Sequence, residues 1–359
     1  MPQTPLHAKH ARLGASFTDF GGWEMPVRYT SDLAEHQAVR EQAGLFDISH
    51  MAEIFVSGSD AASFLDYALV IKSSAIAVGK AKYALICNED GGIIDDLIVY
   101  RLAGDLFLVI ANAGNRHAVV AALKDRAALK NFNGVEDNSD DFALLAVQGP
   151  KATELLQKLV DIDLAPLPYY SIATGSIDGV PGYLCRTGYT GEDGFEALVP
   201  STSAVQIFSA LLNTGITACG LAARDTLRLE AGMPLYGHEL NLEINPFEAG
   251  LGRVVRLDRE EDFVGKSSLT ALSTKEQEKV LVGLNGEGKR AARAEYKIYA
   301  GDIEIGEITS GALSPTLGYP VAMGYVSKAN SELGTEVSVD IRGTRLPMTV
   351  VKLPFYKRK

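Results

Sequence analysis

At 359 residues the chain is too long for one hydrophobic core and requires two or three domains. Its 47% hydrophobic and 22% charged residues are the balance of a folded soluble protein, and a net charge of −11 excludes a broad basic face for nucleic acid. Three scattered cysteines without a C-x-x-C exclude a disulfide framework, and neither they nor the six histidines have the spacing of a metal site.

The N-terminal region has no apolar signal segment, and no stretch is long and apolar enough to span a membrane. No membrane association is therefore expected, and the expected location is a bacterial cytoplasm. After a mixed opening segment, Phe20-Gly-Gly-Trp-Glu-Met-Pro reads as an aromatic loop, and Asp32–Glu41 as a short helix. Gly44-Leu-Phe-Asp-Ile-Ser-His-Met51 follows. Neighbours on an extended segment point to opposite faces, so Asp47, Ser49 and His50 cannot form a relay by adjacency. This segment is expected to turn a backbone edge toward a ligand, with His50 structural.

Val56 to Leu65 reads as strand, turn and helix, with Ser59 or Asp60 as N-cap. Val147-Gln-Gly-Pro-Lys-Ala-Thr-Glu-Leu-Leu repeats its spacing, which suggests two related α+β subdomains. Between the copies lie the short strands Tyr83–Asn88, Ile94–Leu102 and Asp105–Ala111, then an alanine-rich helix, Asn115–Leu129, capped by Asn115.

The key stretch is Gly91-Gly-Ile-Ile-Asp-Asp-Leu-Ile-Val-Tyr100. Ile93, Asp95, Leu97 and Val99 share one face; Ile94, Asp96, Ile98 and Tyr100 share the other. Both faces are apolar, the pattern of a strand buried on both sides. A buried carboxylate is costly without a partner, so at least one aspartate is expected to face a polar cavity. An exposed turn carrying both aspartates is the alternative.

Gly175–Cys185 alternates as a hairpin around Asp178-Gly179. The loop from Arg186 to Glu196 follows and runs into the strand Glu196–Val199. Glycines at 188, 191 and 194 suit close backbone approach to a ligand. Ser201–Leu212 and Leu221–Ala231 read as helices; the second carries Arg224, Asp225, Arg228 and Glu230, a pattern that fits a solvated, self-paired face. After Asn245–Gly252 and the polar segment Ser273–Glu278, short strands with Gly or Pro turns indicate a small barrel or sandwich from about residue 275.

Taken in order, Phe20-Gly-Gly-Trp, Phe46-Asp-Ile-Ser-His-Met, Gly91-Gly-Ile-Ile-Asp-Asp-Leu, Arg186-Thr-Gly-Tyr-Thr-Gly-Glu, Gly220-Leu-Ala-Ala-Arg-Asp-Thr-Leu-Arg-Leu-Glu, Thr309-Ser-Gly-Ala-Leu-Ser-Pro-Thr-Leu and Pro354-Phe-Tyr resemble the T-protein family of the glycine cleavage system. The resemblance runs from about residue 4 to 356. It implies a three-domain α+β architecture around a folate cavity, with antiparallel sheets flanked by helices. One discontinuous domain would take 1–54 plus 145–270, an inserted domain 55–144 and a C-terminal β-barrel 275–359.

The implied reaction is aminomethyl transfer. The methylene of an aminomethyl group on a lipoylated H-protein passes to tetrahydrofolate, the co-substrate, releasing ammonia and 5,10-methylenetetrahydrofolate without a metal. By resemblance, Asp95 is the catalytic carboxylate and Asp96 is left structural. Glu196 is the pterin anchor, Arg224 lines its pocket, and Tyr189 and Tyr83 surround the folate. Met51 and Asn112 are further contacts. Tyr356 and the basic Lys357-Arg358-Lys359 are placed at the folate's glutamate tail. Arg253 stands where many family members have an aromatic and receives no role.

A folate-dependent demethylase of the same fold is the alternative function. The related accessory proteins of iron–sulfur cluster maintenance are disfavoured, because their cysteine-bearing motif is replaced here by Arg186-Thr-Gly-Tyr-Thr-Gly-Glu.

Overall fold

The computed structural model describes residues 1–358, so Lys359 and its place in the basic tail lie outside the described residues. Two sheets and a barrel organise the chain. The first sheet has six strands in the order Ile172–Ile177, Val180–Cys185, Gly194–Pro200, Phe142–Gln148, Gly44–Asp47 and Thr217–Ala218. It is antiparallel apart from its last pair. The second is antiparallel, in the order Ala81–Cys87, Ile93–Ala103, Leu106–Ala111, Ala52–Ser57 and Val135–Asp137. Six strands between Lys279 and Val351 close into the expected barrel.

Each sheet buries its outer face against helices. Ala61–Ala68 and Arg116–Leu129 cover the five-stranded sheet through Phe64, Leu65, Val119 and Leu123. The segment carrying Leu240, Ile244, Val255 and Leu269 packs on the same core. Ala152–Leu156 and Ala204–Asn213 cover the six-stranded sheet. The inner faces meet each other: Tyr100, Leu108 and Ile110 from one sheet join Phe46, Leu144, Ala146 and Leu198 from the other. Both faces of Ile93–Ala103 are thereby in contact with protein, as its two-sided apolar pattern requires.

Several local expectations change. Phe20-Gly-Gly-Trp is a hairpin turn, not a loop: Gly21 and Gly22 take φ of 58° and 88° between strands Ser16–Phe20 and Trp23–Arg28, the two positive φ values of a tight hairpin. Asp178-Gly179 turns the other hairpin in the same way. Asp60 and Asn115 stand at helix starts but make no side-chain cap; the Asn115 amide is committed elsewhere.

Helix Leu221–Glu230 is not a solvated face. It lies between the sheets and the barrel, with Arg228 2% and Glu230 0% exposed. Its start depends on Gly220, where a Cβ would sit 2.3 Å from the Val27 carbonyl oxygen. Arg228 donates to Glu239, Asp225 and Ser310.

Glu230 joins helix Asp32–Glu41 to the barrel. It accepts from Arg40 Nη2 at 2.7 Å, from the Thr316 amide at 3.0 Å and from the Ser314 and Thr316 hydroxyls, with His36 Nε2 3.3 Å away. Burial opposes its charge, yet hydrogen bonds from His36, Ser314 and Arg40 hold its carboxyl down at about 2. Glu230→Ala leaves Arg40 with one buried carboxylate fewer, and a loss of about 3–5 kcal/mol is expected in denaturant unfolding. Because the folded pKa is depressed, the parent's advantage over Glu230→Ala should hold above the ordinary carboxylate range. It should fade as pH falls toward about 2.

Candidate active site

A cavity of about 280 Å3 opens between the inner faces of the two sheets. Its walls are mostly apolar, from Phe20, Ile48, Ile98, Ile110, Leu144 and Leu251. Polar groups reach it from four places: the segment after Gly44–Asp47, the five-stranded sheet, the loop after Cys185, and helix Leu221–Glu230. A largely apolar pocket with a few aimed polar groups is the form of a small-molecule site.

One polar group is built around Glu196. Tyr100 donates to Thr187 Oγ1 at 2.7 Å, and Thr187 donates to Glu196 Oε2 at 2.6 Å. This order is forced, because the carboxylate can only accept. It fixes one carboxylate oxygen and leaves Oε1 without a protein donor. Burial raises the Glu196 pKa, against the Thr187 hydrogen bond and the Arg224 charge.

Arg224 lies with its guanidinium carbon 4.8 Å from the Tyr189 ring centre, and its Nη1 is buried without a hydrogen-bond partner. Burial lowers its pKa, against the pull of Glu196. Tyr189 is held in turn by its hydroxyl, which donates to the Pro234 carbonyl.

The loop's close approach depends on Gly188. A Cβ there would lie 1.9 Å from Gln148 Oε1. Gln148 fastens the loop by donating to the Thr187 carbonyl at 3.0 Å and accepting from Thr190 at 2.9 Å.

The second polar group is built around the aspartate pair, and here the expectation is corrected. Asp95 does not line the cavity. It is wholly buried on the outer face with Ile93, Leu97 and Val99. Its Oδ1 accepts from the Asn112 and Asn115 side-chain amides at 2.9 and 2.6 Å, and its Oδ2 from the Asn112 backbone at 2.9 Å. Asp96, expected to be structural, is the member of the pair that lies on the cavity wall.

Asp96 Oδ1 accepts from Asn112 Nδ2 at 2.8 Å and Oδ2 from Tyr83 at 3.1 Å. Burial raises both aspartate pKa values; for Asp95 the charge of Asp96 adds to this, while the asparagine bonds oppose it.

His50, also expected to be structural, lies on the cavity wall as well. It is 2% exposed, edge-on to Phe20 at 5.6 Å, and its Nδ1 is buried without a partner. Burial, reinforced by Arg224, pushes its pKa down to about 4 against the pull of Asp47, so the ring is neutral at pH 7. Asp47 itself turns away, accepting from Thr4 at 2.6 Å and pairing with His10 Nε2 at 2.8 Å.

Of the predicted residues, the fold brings Met51, Tyr83, Asn112, Tyr189, Glu196 and Arg224 to one cavity. Tyr356 is elsewhere, in a surface groove with Lys357 and Arg358. Its ring lies under the Arg40 guanidinium at 4.0 Å, and its amide donates to the Glu230 carbonyl. The chain end is therefore engaged with helices rather than with the cavity. Arg253 is exposed. Asp96, Thr187, Gln148 and His50 are among the site residues that sequence reasoning missed. Among the described residues no three His, Cys, Asp or Glu side chains are grouped to hold a metal, and no helix is long and apolar enough to cross a membrane.

Comparison with known proteins accounts for both halves of the chain. The family model of the GCVT N-terminal domain matches residues 6–259, and that of the glycine cleavage T-protein C-terminal barrel domain matches 279–357. The aminomethyltransferase of Saccharopolyspora erythraea is 54% identical over 99% of this chain and 98% of its own length. That of Listeria monocytogenes is 42% identical over the same shares. The crystal structure of the glycine cleavage system aminomethyltransferase T from Bartonella henselae superposes with a TM-score of 0.94 at 37% identity, over 99% of this chain and 98% of that one. With cavity, barrel and full-length relatives in agreement, the chain belongs to the glycine cleavage T-protein family, the aminomethyltransferases.

Proposed function

We propose that this aminomethyltransferase takes the methylene carbon from the aminomethyl-lipoyl arm of an H-protein and passes it to tetrahydrofolate in the described cavity. Ammonia and 5,10-methylenetetrahydrofolate are released. The observation that carries the folate assignment is the pairing of unmet groups on one wall. Glu196 Oε1 has no protein donor, and the buried Arg224 Nη1 has no acceptor. A pterin edge presents adjacent N–H donors beside a carbonyl acceptor, which is the complement of that pair. The Tyr189 ring adds an aromatic face for stacking.

In this reading Glu196 and Arg224 orient the pterin, with Thr187 and Tyr100 holding Glu196 in place. Asp96 accepts the proton released by a folate nitrogen and stabilises positive charge on the carbon in transit. The role expected of Asp95 therefore passes to its neighbour, and Asp95 acts through Asn112. The apolar walls exclude water, which would otherwise capture the reactive carbon. The division into 1–54 plus 145–270, 55–144 and 275–359 remains part of the proposal. The packing of 240–269 on the five-stranded sheet's core ties the first two units together.

Single-turnover transfer tests the reading directly. Aminomethyl-lipoylated H-protein is mixed with the protein, with and without tetrahydrofolate, while ammonia and methylenetetrahydrofolate are followed. Folate-dependent release of both is expected; folate binding without any release would move the donor to the demethylase class.

Two substitutions refine it. Asp96→Asn should leave folate affinity within about two-fold and slow transfer by about 100-fold or more, whereas Asp95→Asn should be milder. The reverse ranking would return the catalytic role to Asp95. Glu196→Ala should weaken folate binding by about ten-fold or more, because it leaves pterin donors unpaired. Unchanged affinity in a calorimetric titration would remove Glu196 as the anchor.

A further inference from the structure

The structure assigns the Asp96–Asn112 wall of the cavity as the binding site for the protonated amine of the donor, the group that departs as ammonia; this rests on the function proposed above. The first observation is an imbalance of charge. Asp95 and Asp96 are adjacent carboxyls in a buried strand, and no lysine, arginine or histidine among the described residues forms an ion pair with either. Arg228, the other arginine at the cavity, is already paired with Glu239 and Asp225. A buried carboxyl without a cation either takes up a proton or is matched by a bound cation, and a cationic ligand on this wall would favour the charged form.

The second observation is the fixed orientation of Asn112. Its Nδ2 faces three acceptors: Asp95 Oδ1 at 2.9 Å, Asp96 Oδ1 at 2.8 Å and the Asp96 carbonyl at 3.2 Å. Only the NH2 end of an amide can make these bonds, so the orientation admits no flip. The amide's Oδ1 is left without a protein donor on a residue that lines the cavity.

Strand register explains the placement. Ile98 opposes Ile110, so Asn112 stands across from Asp96 on the same face, where the chain leaves the sheet. Asn115 Nδ2 reaches Asp95 at 2.6 Å and fixes the acceptor that holds Asn112. Asn115 is thus a positioning residue.

What the wall leaves free is acceptors: the Asp96 carboxylate and an amide oxygen, with Tyr83, also on the cavity wall, committing its hydroxyl proton to Asp96. An alkylammonium group supplies N–H donors and one positive charge, and fits it. A neutral thioether or a pterin carbonyl does not. The balance of the transfer agrees. The donor R–S–CH2–NH3+ and the N5–H and N10–H of tetrahydrofolate become R–SH, the N5–CH2–N10 bridge and NH4+. The C–S and C–N bonds break, two C–N bonds form, and the two folate protons end on sulfur and nitrogen. The departing cation leaves from the wall that held it.

The transfer run backwards isolates this site, because ammonium is then a substrate. Dihydrolipoyl H-protein and 5,10-methylenetetrahydrofolate are held saturating while ammonium chloride is varied, and tetrahydrofolate affinity is measured separately by titration. Asn112→Ala should raise the ammonium concentration for half-maximal rate by about ten-fold or more, with folate affinity within about two-fold. Asn115→Ala, remote from the cavity wall, should raise it by a few-fold and leave folate affinity unchanged.

Unchanged ammonium saturation in both variants would overturn the assignment. So would a parallel loss of folate affinity, which would make Asn112 a folate contact instead. If Asn112→Ala does not fold, the Asn115→Ala result decides alone. If the unsubstituted protein binds folate yet incorporates no ammonium, the proposed function itself fails and the amine site with it.

Discussion

A carboxylate that leaves water must be met by donors, and much of this interior is arranged around that demand. Glu35 is met by the amides of Tyr29, Thr30 and Gly220. Asp47 is met by Thr4, His10 and the Ser49 amide. Glu230 gathers Arg40, Ser314 and Thr316. Each set joins elements distant in sequence, so the polar interior fixes how helices, sheets and barrel sit together. Glu53 departs from this: neither of its oxygens is bonded, and burial pushes its pKa well up.

The active cavity is where the same demand is met only in part. Thr187 satisfies one oxygen of Glu196 and leaves the other free. Asn112 and Tyr83 each satisfy one oxygen of Asp96 without supplying charge. Arg224 keeps a buried N–H without an acceptor. These shortfalls cost stability in the empty protein and become binding energy when a complementary molecule arrives. The surrounding satisfied groups keep them from collapsing onto one another.

The difference between what sequence shows and what it hides is clear at the aspartate pair. Alternation shows that two carboxyls lie on opposite faces of a strand buried on both sides, and the fold agrees. It does not show which face meets the cavity, because Ile93, Leu97 and Val99 are as apolar as Ile94, Ile98 and Tyr100. That choice is made by the partner sheet, whose approach is a tertiary fact. The place of His50 is hidden for the same reason: adjacency to Asp47 and Ser49 argues against a relay, yet says nothing about Phe20 and Arg224. The hairpin at Gly21-Gly22 was legible in principle, since paired glycines suit two positive φ values. The barrel, the Asp178-Gly179 hairpin and the glycine loop were legible because turn chemistry is local.

The cavity walls are drawn from Phe20, Asp96, Glu196 and Leu251, so the site has no local precursor in the chain. Its contacts span much of the sequence, and loop-closure entropy delays them until both sheets have paired and docked. A molecule that fits the cavity therefore recognises only the completed fold. By mass action it draws population away from every partly folded form, about 2.7 kcal/mol at a hundred times its dissociation constant. In a cell, the supply of that molecule would then set how much of the chain survives surveillance by proteases, as well as how fast it works.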